Sequence, residues 1–572
     1  MYGGIPVMSA TEFQSKLLDR RDIIKGLFAA SSLAFLSACT GGSGSADSGS
    51  SDGGDASEVF VKTYLTSPSS LDPYCAYASA GAQVTYQLFD SLTRYDFERE
   101  RIVPLAASSF SASEDGLTFT FKLRRAQFHN GETVTSTSFK RGWERLCATS
   151  GSLVDSLGTS SARFLLASIQ GYDDLLQGRA SGLAGVQCPD DQTLVVTCSE
   201  PCADLPYIVA HPALAPIPQA AETDADSFAA RPVGNGPFSI KRTWKQGDDV
   251  DLVRFDGYYG SESSVDGISF IDGDNTETIY KQFLSGRLDF CEVPIEEVSS
   301  AVSKRGQAES SFEMSEGNHL VKMPELKVVY LALNLKNEWL ANADVRKGIS
   351  LALNREGICK DIYRGVCLPA DDIVPPTCPG YREGAWDCTA TDVDRAASLV
   401  KGAKADSDAG DKIKLTFGYV AAGGNAEVAK AIAEALDKVG FDIELKELKS
   451  GELLRSVKAG EVDIARLSWG TETPEMGRFM RPLFRSGEDG SANGSLYADD
   501  DVDAKLDAAR AIVDDSERIA AFQEVDDIVS EACPVIPLMF YVRSFAGSDR
   551  IEKLDIDVLG NPDFASASVD GR

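Results

Sequence analysis

Residues Glu427 to Lys446 read EVAKAIAEALDKVGFDIELK. Val428, Ile432, Leu436 and Val439 recur at spacings of three and four, the stripe of an amphipathic helix. Gly440 stops that helix. Phe441 to Lys446 then alternates apolar and polar residues, the period of a half-buried strand. A helix, a glycine and a strand in succession suit a sheet covered by helices. The same grammar extends outward in both directions. Asp344 to Gly365 is expected to be a capped helix carrying Val345, Ile349 and Leu353, and Leu117 to Leu123 a half-buried strand. Strand runs such as Phe238–Ile240 and Val250–Val253 lie between turn signals at Gly234–Pro237 and Gly247. Downstream, Val502–Val513 and Ser516–Ala532 read as helices, the second with an apolar face of Ile519, Phe522, Val525 and Val529. Val535 to Val542 follows as a buried strand. The fold class is therefore mixed α/β, with no repeat, coiled coil or low-complexity tract after residue 58.

The chain has 572 residues, 43% hydrophobic and 25% charged, enough apolar material for two or three cores. That composition excludes global disorder and a disulfide-dense miniprotein. With 56 basic and 87 acidic residues the net charge is −31, so nucleic acid is not expected as a partner.

Gly26 to Ala38 (GLFAASSLAFLSA) is apolar, follows Arg20, Arg21 and Lys25, and is too short to span a bilayer. A charged segment, a short apolar core and small residues make a secretory signal. Leu36-Ser37-Ala38-Cys39 resembles the bacterial lipobox, which implies lipidation of Cys39 and cleavage before it. Residues 1–38 are thus expected to be a lipoprotein signal and residues 39–58, rich in Gly and Ser, a flexible tether. The pair Arg20-Arg21 resembles a twin-arginine export signal, with plain Sec export left open. Eleven cysteines remain after Cys39, an odd number. Export permits disulfides, and the clusters Cys188/Cys198/Cys202 and Cys359/Cys367/Cys378/Cys388 are their expected sources. Cys198 and Cys202 are not spaced as CxxC, and no His pair accompanies either cluster, so zinc is not expected.

Catalytic motifs are missing. There are three His, no HExxH and no GxxxxGK[ST]. The one GxSxG match, Gly49 to Gly53, falls in the tether, where no strand-to-helix elbow can form. His129, before Asn130-Gly131, flanks a hairpin turn. The chain looks built to hold something rather than transform it; no enzyme activity, metal or cofactor is expected.

From Ser69 onward a series of short motifs appears. Leu71-Asp72-Pro73, Gln87 to Asp96, Pro104-Leu105-Ala106, Ser113 to Arg124 and Phe128 to Glu132 are similar to the LDP, YEGLVRYD, PxLAxxW, SEDGLTYTFxLR and FHDGE landmarks of the solute-binding lipoproteins of peptide-type ABC importers, which the chain resembles. Phe110 stands where the third has Trp. Pro232 to Phe238, Gly286 to Asp289, Asp344 to Arg355, Gly460 to Gly470 and Ala532 to Leu538 continue the series in order.

The resemblance implies a two-lobed, hinge-closing periplasmic-binding-protein-like fold with an extra subdomain on the N-terminal lobe. On that plan residues 59–85, 189–327 and 534–572 form lobe I, 86–188 the extra subdomain, and 328–533 lobe II. It also implies a peptide ligand, with oligopeptides favoured, and ABC permease and ATPase subunits as partners. The chain would sit on the outer face of the cytoplasmic membrane through a lipid on Cys39.

A peptide of any sequence offers a main chain, an ammonium and a carboxylate, and buried charges need partners. By the family pattern Glu472, three residues after Trp469, would meet the ammonium, although Asp is usual there. Arg466 would meet a carboxylate, for which its two-pronged donor geometry is suited. Trp469 would wall the pocket. Gly234, Asn235 and Gly236 would offer backbone contacts, although a turn alone explains them equally well. Family members also bind nickel chelates, haem, sugars or opines, and a peptide-pheromone sensor without transport is a further alternative.

Overall fold

A computed structural model describes residues 59–571 except 67, 76–80, 98, 274, 406–410 and 488–491. The expected signal, the tether and Cys39 lie outside the described residues.

Three large hydrophobic cores organise the chain. In lobe I, strand Phe60–Leu65 runs parallel to Gly267–Asp272, which continues antiparallel into Val250–Arg254 and Phe238–Ile240. A second sheet joins Glu313–Ser315, Ile551–Ile556 and Pro562–Val569. Their shared core includes Phe270, Phe290, Phe545 and Phe564.

The extra subdomain is a four-stranded antiparallel sheet in the order Ala107–Ala112, Thr118–Leu123, Thr193–Thr197, Val186–Asp190. Helix Ser136–Leu146 packs on it through the fully buried Trp143, whose Nε1 donates to the Leu214 carbonyl at 2.8 Å. This core runs from Tyr74 to Leu214, past the expected limits of 86 and 188. The reason is pairing: Thr193–Thr197 is an inner strand of this sheet and cannot be assigned to lobe I.

Among the described residues a seven-stranded sheet fills lobe II and reaches lobe I through its edge strand Phe290–Glu292. The stretch that opened the sequence reading forms helix Asn425–Asp437 and strand Phe441–Glu447, with Gly440 between them at φ +106°. That helix crosses over from strand Ile413–Tyr419, which runs parallel to Phe441–Glu447. Val428, Ile432 and Leu436 are fully buried beneath it. The last strand lies at the sheet edge, and Leu445 is exposed. The single helix expected over Asp344–Gly365 is broken. It spans Ala343–Leu351, and the Asn354 side chain then captures the Gly357 N–H and starts a new turn at Arg355. On helix Asp515–Ala532, Phe522, Val525 and Val529 are buried as expected, but so are Arg518 and Asp526.

Two long antiparallel strands, Leu320–Leu333 and Val535–Gly547, connect the lobes. Leu320, Val321, Met323, Phe545 and Ala546 belong to the lobe I core. Val328 to Leu333 and Val535 to Phe540 belong to that of lobe II. Each strand thus changes core partway along, and the pairing register slips between Pro324 and Val328 at the crossing. The expected boundary at 533/534 therefore shifts into the second strand. A charged contact also joins the subdomain to lobe II: Asp204 pairs with Arg478, Glu200 with Arg510, and the Tyr207 hydroxyl donates to Asp515 at 3.0 Å.

Candidate functional site

Arg466 lies on strand Ile464–Gly470, opposite Leu331 of the first hinge strand. Its side chain is buried, and one Nη donates to the Tyr541 hydroxyl at 3.0 Å and to the Tyr363 hydroxyl at 3.4 Å. Its Nε is buried with no hydrogen-bond partner. Arg466 forms no ion pair with Asp463, whose carboxylate accepts from Asn337 and Thr416. Among the described residues this buried guanidinium is held by two neutral phenols and has no counter-anion, a costly arrangement. Arg466 therefore has unspent capacity for an anion with two acceptors.

Lys327 adds a second cation. It pairs across from Gly470, and its ammonium stands 5.5 Å from the centre of the Tyr541 ring. Burial lowers its pKa below the usual lysine range; Glu325 opposes this and the Arg466 charge adds to it. Lys327 and Tyr541 both sit where the hinge strands pass between cores. Trp469 is half-buried, packs against the lobe II core and donates its Nε1 proton to the Arg478 carbonyl at 2.8 Å.

Beyond Gly470 the chain leaves the sheet, and the Thr471 N–H bonds the Leu326 carbonyl of the hinge strand at 3.1 Å. Glu472 follows, half-buried. It belongs to lobe II, yet its charge reaches Tyr86 on helix Gly81–Leu88 of lobe I. The Tyr86 phenol pKa lies well above its usual value through burial first, then Asp557, which it hydrogen-bonds, then Glu472. Burial holds Asp557 itself up at about 6. Of the two charged positions from the sequence reading, the cation touches Tyr541 of the second hinge strand, and the acid lies close enough to lobe I for its charge to act on Tyr86.

Gly234, Asn235 and Gly236 do not join them. The Gly234 N–H donates to His129 Nδ1 at 3.1 Å, and the Gly236 N–H to the Leu88 carbonyl at 2.9 Å. The buried Asn235 amide brackets the Asp90 main chain, accepting from its N–H and donating to its carbonyl. A Cβ on Gly234 would stand 1.8 Å from the Leu88 oxygen. These contacts spend the turn's polar groups on packing, which corrects the expected ligand role. Burial lowers the His129 pKa to about 4, so the ring is neutral and donates from Nε2 to the Gly236 carbonyl.

The expected disulfides are absent among the described residues. A cavity of about 350 Å³ lined by Glu200, Arg481, Arg485, Asp507 and Arg510 lies at the subdomain–lobe II contact. Its acids and bases pair with one another, Arg510 with Glu200 and Arg485 with Asp507, and no residue of the Arg466 cluster lines it.

Sequence reading missed Lys327, Tyr363, Tyr541 and Tyr86. Two signals were present: Pro324 interrupting a strand that also carries Lys322, Glu325 and Lys327, and a phenol inside the strand that begins at Val535, since a buried tyrosine needs a partner for its hydroxyl.

Residues 101–491 match the family model described as bacterial extracellular solute-binding proteins, family 5 middle. The dipeptide-binding protein DppE of Bacillus subtilis is 25% identical over 90% of this chain and 93% of its own length. The oligopeptide-binding protein OppA of the same organism is 26% identical over 93% and 96%. The structure of HbpA2 from Haemophilus parasuis superposes with a TM-score of 0.78 at 20% identity, over 89% of this chain and 99% of that one. With the family model covering well over half of its length, this chain belongs to the family 5 bacterial extracellular solute-binding proteins.

Proposed function

We propose that this chain binds short peptides with free ends in the cleft between its lobes and hands them to an ABC permease driven by ATPase subunits. The observation that carries this reading is the buried Arg466, which has two phenolic partners, an unpartnered Nε and no counter-anion among the described residues. A ligand carboxylate would supply the missing charge, with Lys327 adding a second donor. Glu472 would receive the ammonium at the boundary with lobe I, beside Tyr86 and Asp557. Residues 466 and 472 are separated by roughly 20 Å at most, even in an extended chain. A guest touching both therefore has up to about six residues. The names of the Bacillus relatives, a dipeptide binder and an oligopeptide binder, agree with this size.

The hinge strands allow closure by bending at the register slip, and the ligand biases closure because only the closed form touches it from both lobes. The chain catalyses no reaction on its guest. It works outside the cytoplasm, tethered through a lipid on Cys39. Calorimetry with a tripeptide, its N-acetylated form and its C-amidated form tests the reading. Both modifications should weaken binding at least tenfold, and Glu472→Gln should remove the penalty for acetylation only. Equal affinity for all three peptides would refute it.

A further inference from the structure

Cys388 and Cys533 are 145 residues apart in the chain, and their sulfurs are 3.6 Å apart. Both side chains are buried. Cys388 lies in the short 3-10 turn Asp387–Thr389, next to the exposed Asp387. Cys533 caps helix Asp515–Ala532 in a left-handed conformation, φ +48°, immediately before the second hinge strand. Two buried guanidiniums flank the pair. Arg355 donates to the carbonyls of Ser350, Thr389 and Pro537 and to the Ser350 hydroxyl. Arg346 donates to the carbonyls of Leu340, Ala341, Ala532 and Cys533. All these acceptors are neutral, so this corner of lobe II holds two positive charges, and an ionised thiol is the anion nearest to hand.

The thiols respond to that surrounding. The Cys388 pKa is lowered to about 7, first by its hydrogen bond with Cys533 and further by the Ser350 hydroxyl and the Arg355 charge, against the effect of burial. Cys533 is held well above the usual thiol range, first by that same contact and then by burial. Two thiols in simple packing contact would behave as small apolar side chains. Here one is set up as nucleophile and the other as its partner.

We infer that Cys388 and Cys533 are a disulfide-forming pair, joined by exchange with a disulfide-bearing oxidant outside the cytoplasm. The inference rests on the extracytoplasmic reading for where the oxidant is met. The Cys388 thiolate attacks one sulfur of the oxidant's disulfide, breaks that bond and forms a mixed disulfide, and the displaced sulfur leaves as a thiolate. That thiolate takes the Cys533 proton. Cys533 then attacks the Cys388 sulfur, closes the internal bond and expels the second oxidant thiolate, which takes up the proton first lost by Cys388. Two electrons pass to the oxidant, which leaves as two thiols. The sulfurs must approach by about 1.5 Å to reach bonding distance, a movement that the short turn around Cys388 can supply. The bridge would fasten the turn before helix Val393–Lys404 to the base of the second hinge strand, stiffening lobe II without crossing the hinge.

The test uses the full chain, purified reduced and treated with oxidised glutathione at neutral pH. The protein is then denatured in acid, alkylated and digested, and its peptides are identified by mass. The expected result is a peptide pair joined through Cys388 and Cys533, with no glutathione on either. Alkylation of both cysteines, a stable glutathione adduct on Cys388, or a bridge from either to another cysteine overturns the inference. In Cys388→Ala, Cys533 should be recovered as an alkylated thiol; Cys533 found joined elsewhere refutes the pairing. The oxidation uses purified protein, so its failure is distinct from failure of the export reading, which is tested by finding the chain in the cytosolic fraction of its host.

Discussion

Replacing Arg466 by Met separates binding from structure because the two readings give opposite signs. In the ligand-free chain the substitution removes two hydrogen bonds to the Tyr363 and Tyr541 hydroxyls, at 3.4 and 3.0 Å. Each is worth about 1–2 kcal/mol. It also removes a buried charge that has no counter-ion among the described residues, a burden of several kcal/mol. Stability without ligand should therefore stay within about 1 kcal/mol of the parent or rise. Affinity should move the other way. Truncating one partner of a buried charge pair costs about 2–5 kcal/mol, which at about 1.4 kcal/mol per tenfold is a loss of roughly 30-fold to several thousandfold. Calorimetry with a tripeptide and its C-amide, together with urea melts of the free protein, reads both quantities. In the parent, amidation should be costly; in Arg466→Met it should change affinity by less than about threefold, or roughly 0.7 kcal/mol. Unchanged affinity for the free acid, combined with a loss of about 2 kcal/mol or more in the free protein, would make Arg466 a structural cation and refute the carboxylate reading.

Burial holds the Asp90 pKa at about 6 against 3.8 in a free carboxyl, despite hydrogen bonds from Tyr258 and Tyr259. The folded form keeps this proton where the unfolded chain releases it, so the contribution is full below about pH 4 and lost as pH rises through about 6. Asp90→Asn should shrink the stability lost between those pH values by about 2–3 kcal/mol in urea melts; an unchanged slope would contradict this. Gly234→Ala should destabilise by about 3 kcal/mol or more, since its Cβ meets the Leu88 backbone oxygen at 1.8 Å; a thermal midpoint equal to the parent's would show that the turn yields freely. Asp204→Asn breaks the ion pair to Arg478 between the subdomain and lobe II, worth about 2 kcal/mol. Small-angle scattering of the ligand-free variant should give a larger radius of gyration than the parent, and identical profiles would remove this contact from the lobe equilibrium.

Much of the fold was legible because its elements are local. The helix–Gly440–strand unit and the strand at Thr118–Leu123 follow from periodicity alone. The helix expected over Asp344–Gly365 failed at Asn354, whose side chain competes with the backbone for the Gly357 N–H, a capping choice that apolar spacing does not register. The subdomain limits failed for a different reason. The limit at 188 cuts through the hairpin of Val186–Asp190 with Thr193–Thr197, and the pairing of that hairpin with Thr118–Leu123, far away in sequence, leaves no local mark. At the candidate site, Arg466 and Glu472 were put forward from motif position, while Tyr363, Tyr541 and Lys327 come near Arg466 from three separate strands or turns. Only the tertiary fold makes them neighbours. The Gly234–Gly236 turn shows the reverse error: its residues suited a ligand contact, but the spatial partner proved to be the end of helix Gly81–Leu88.

The slipped pairing between Pro324 and Val328 has a consequence for the order in which a guest is gripped. Lys327 and Tyr541 lie on the pivot itself, so opening and shutting carry them through a short arc, and the basic pocket keeps nearly the same shape throughout. Glu472 follows Thr471, whose N–H holds the Leu326 carbonyl of the same hinge strand, so it too stays close to the pivot. A guest proposed to meet Arg466 and Glu472 would thus be held at both ends by lobe II before lobe I closes over it.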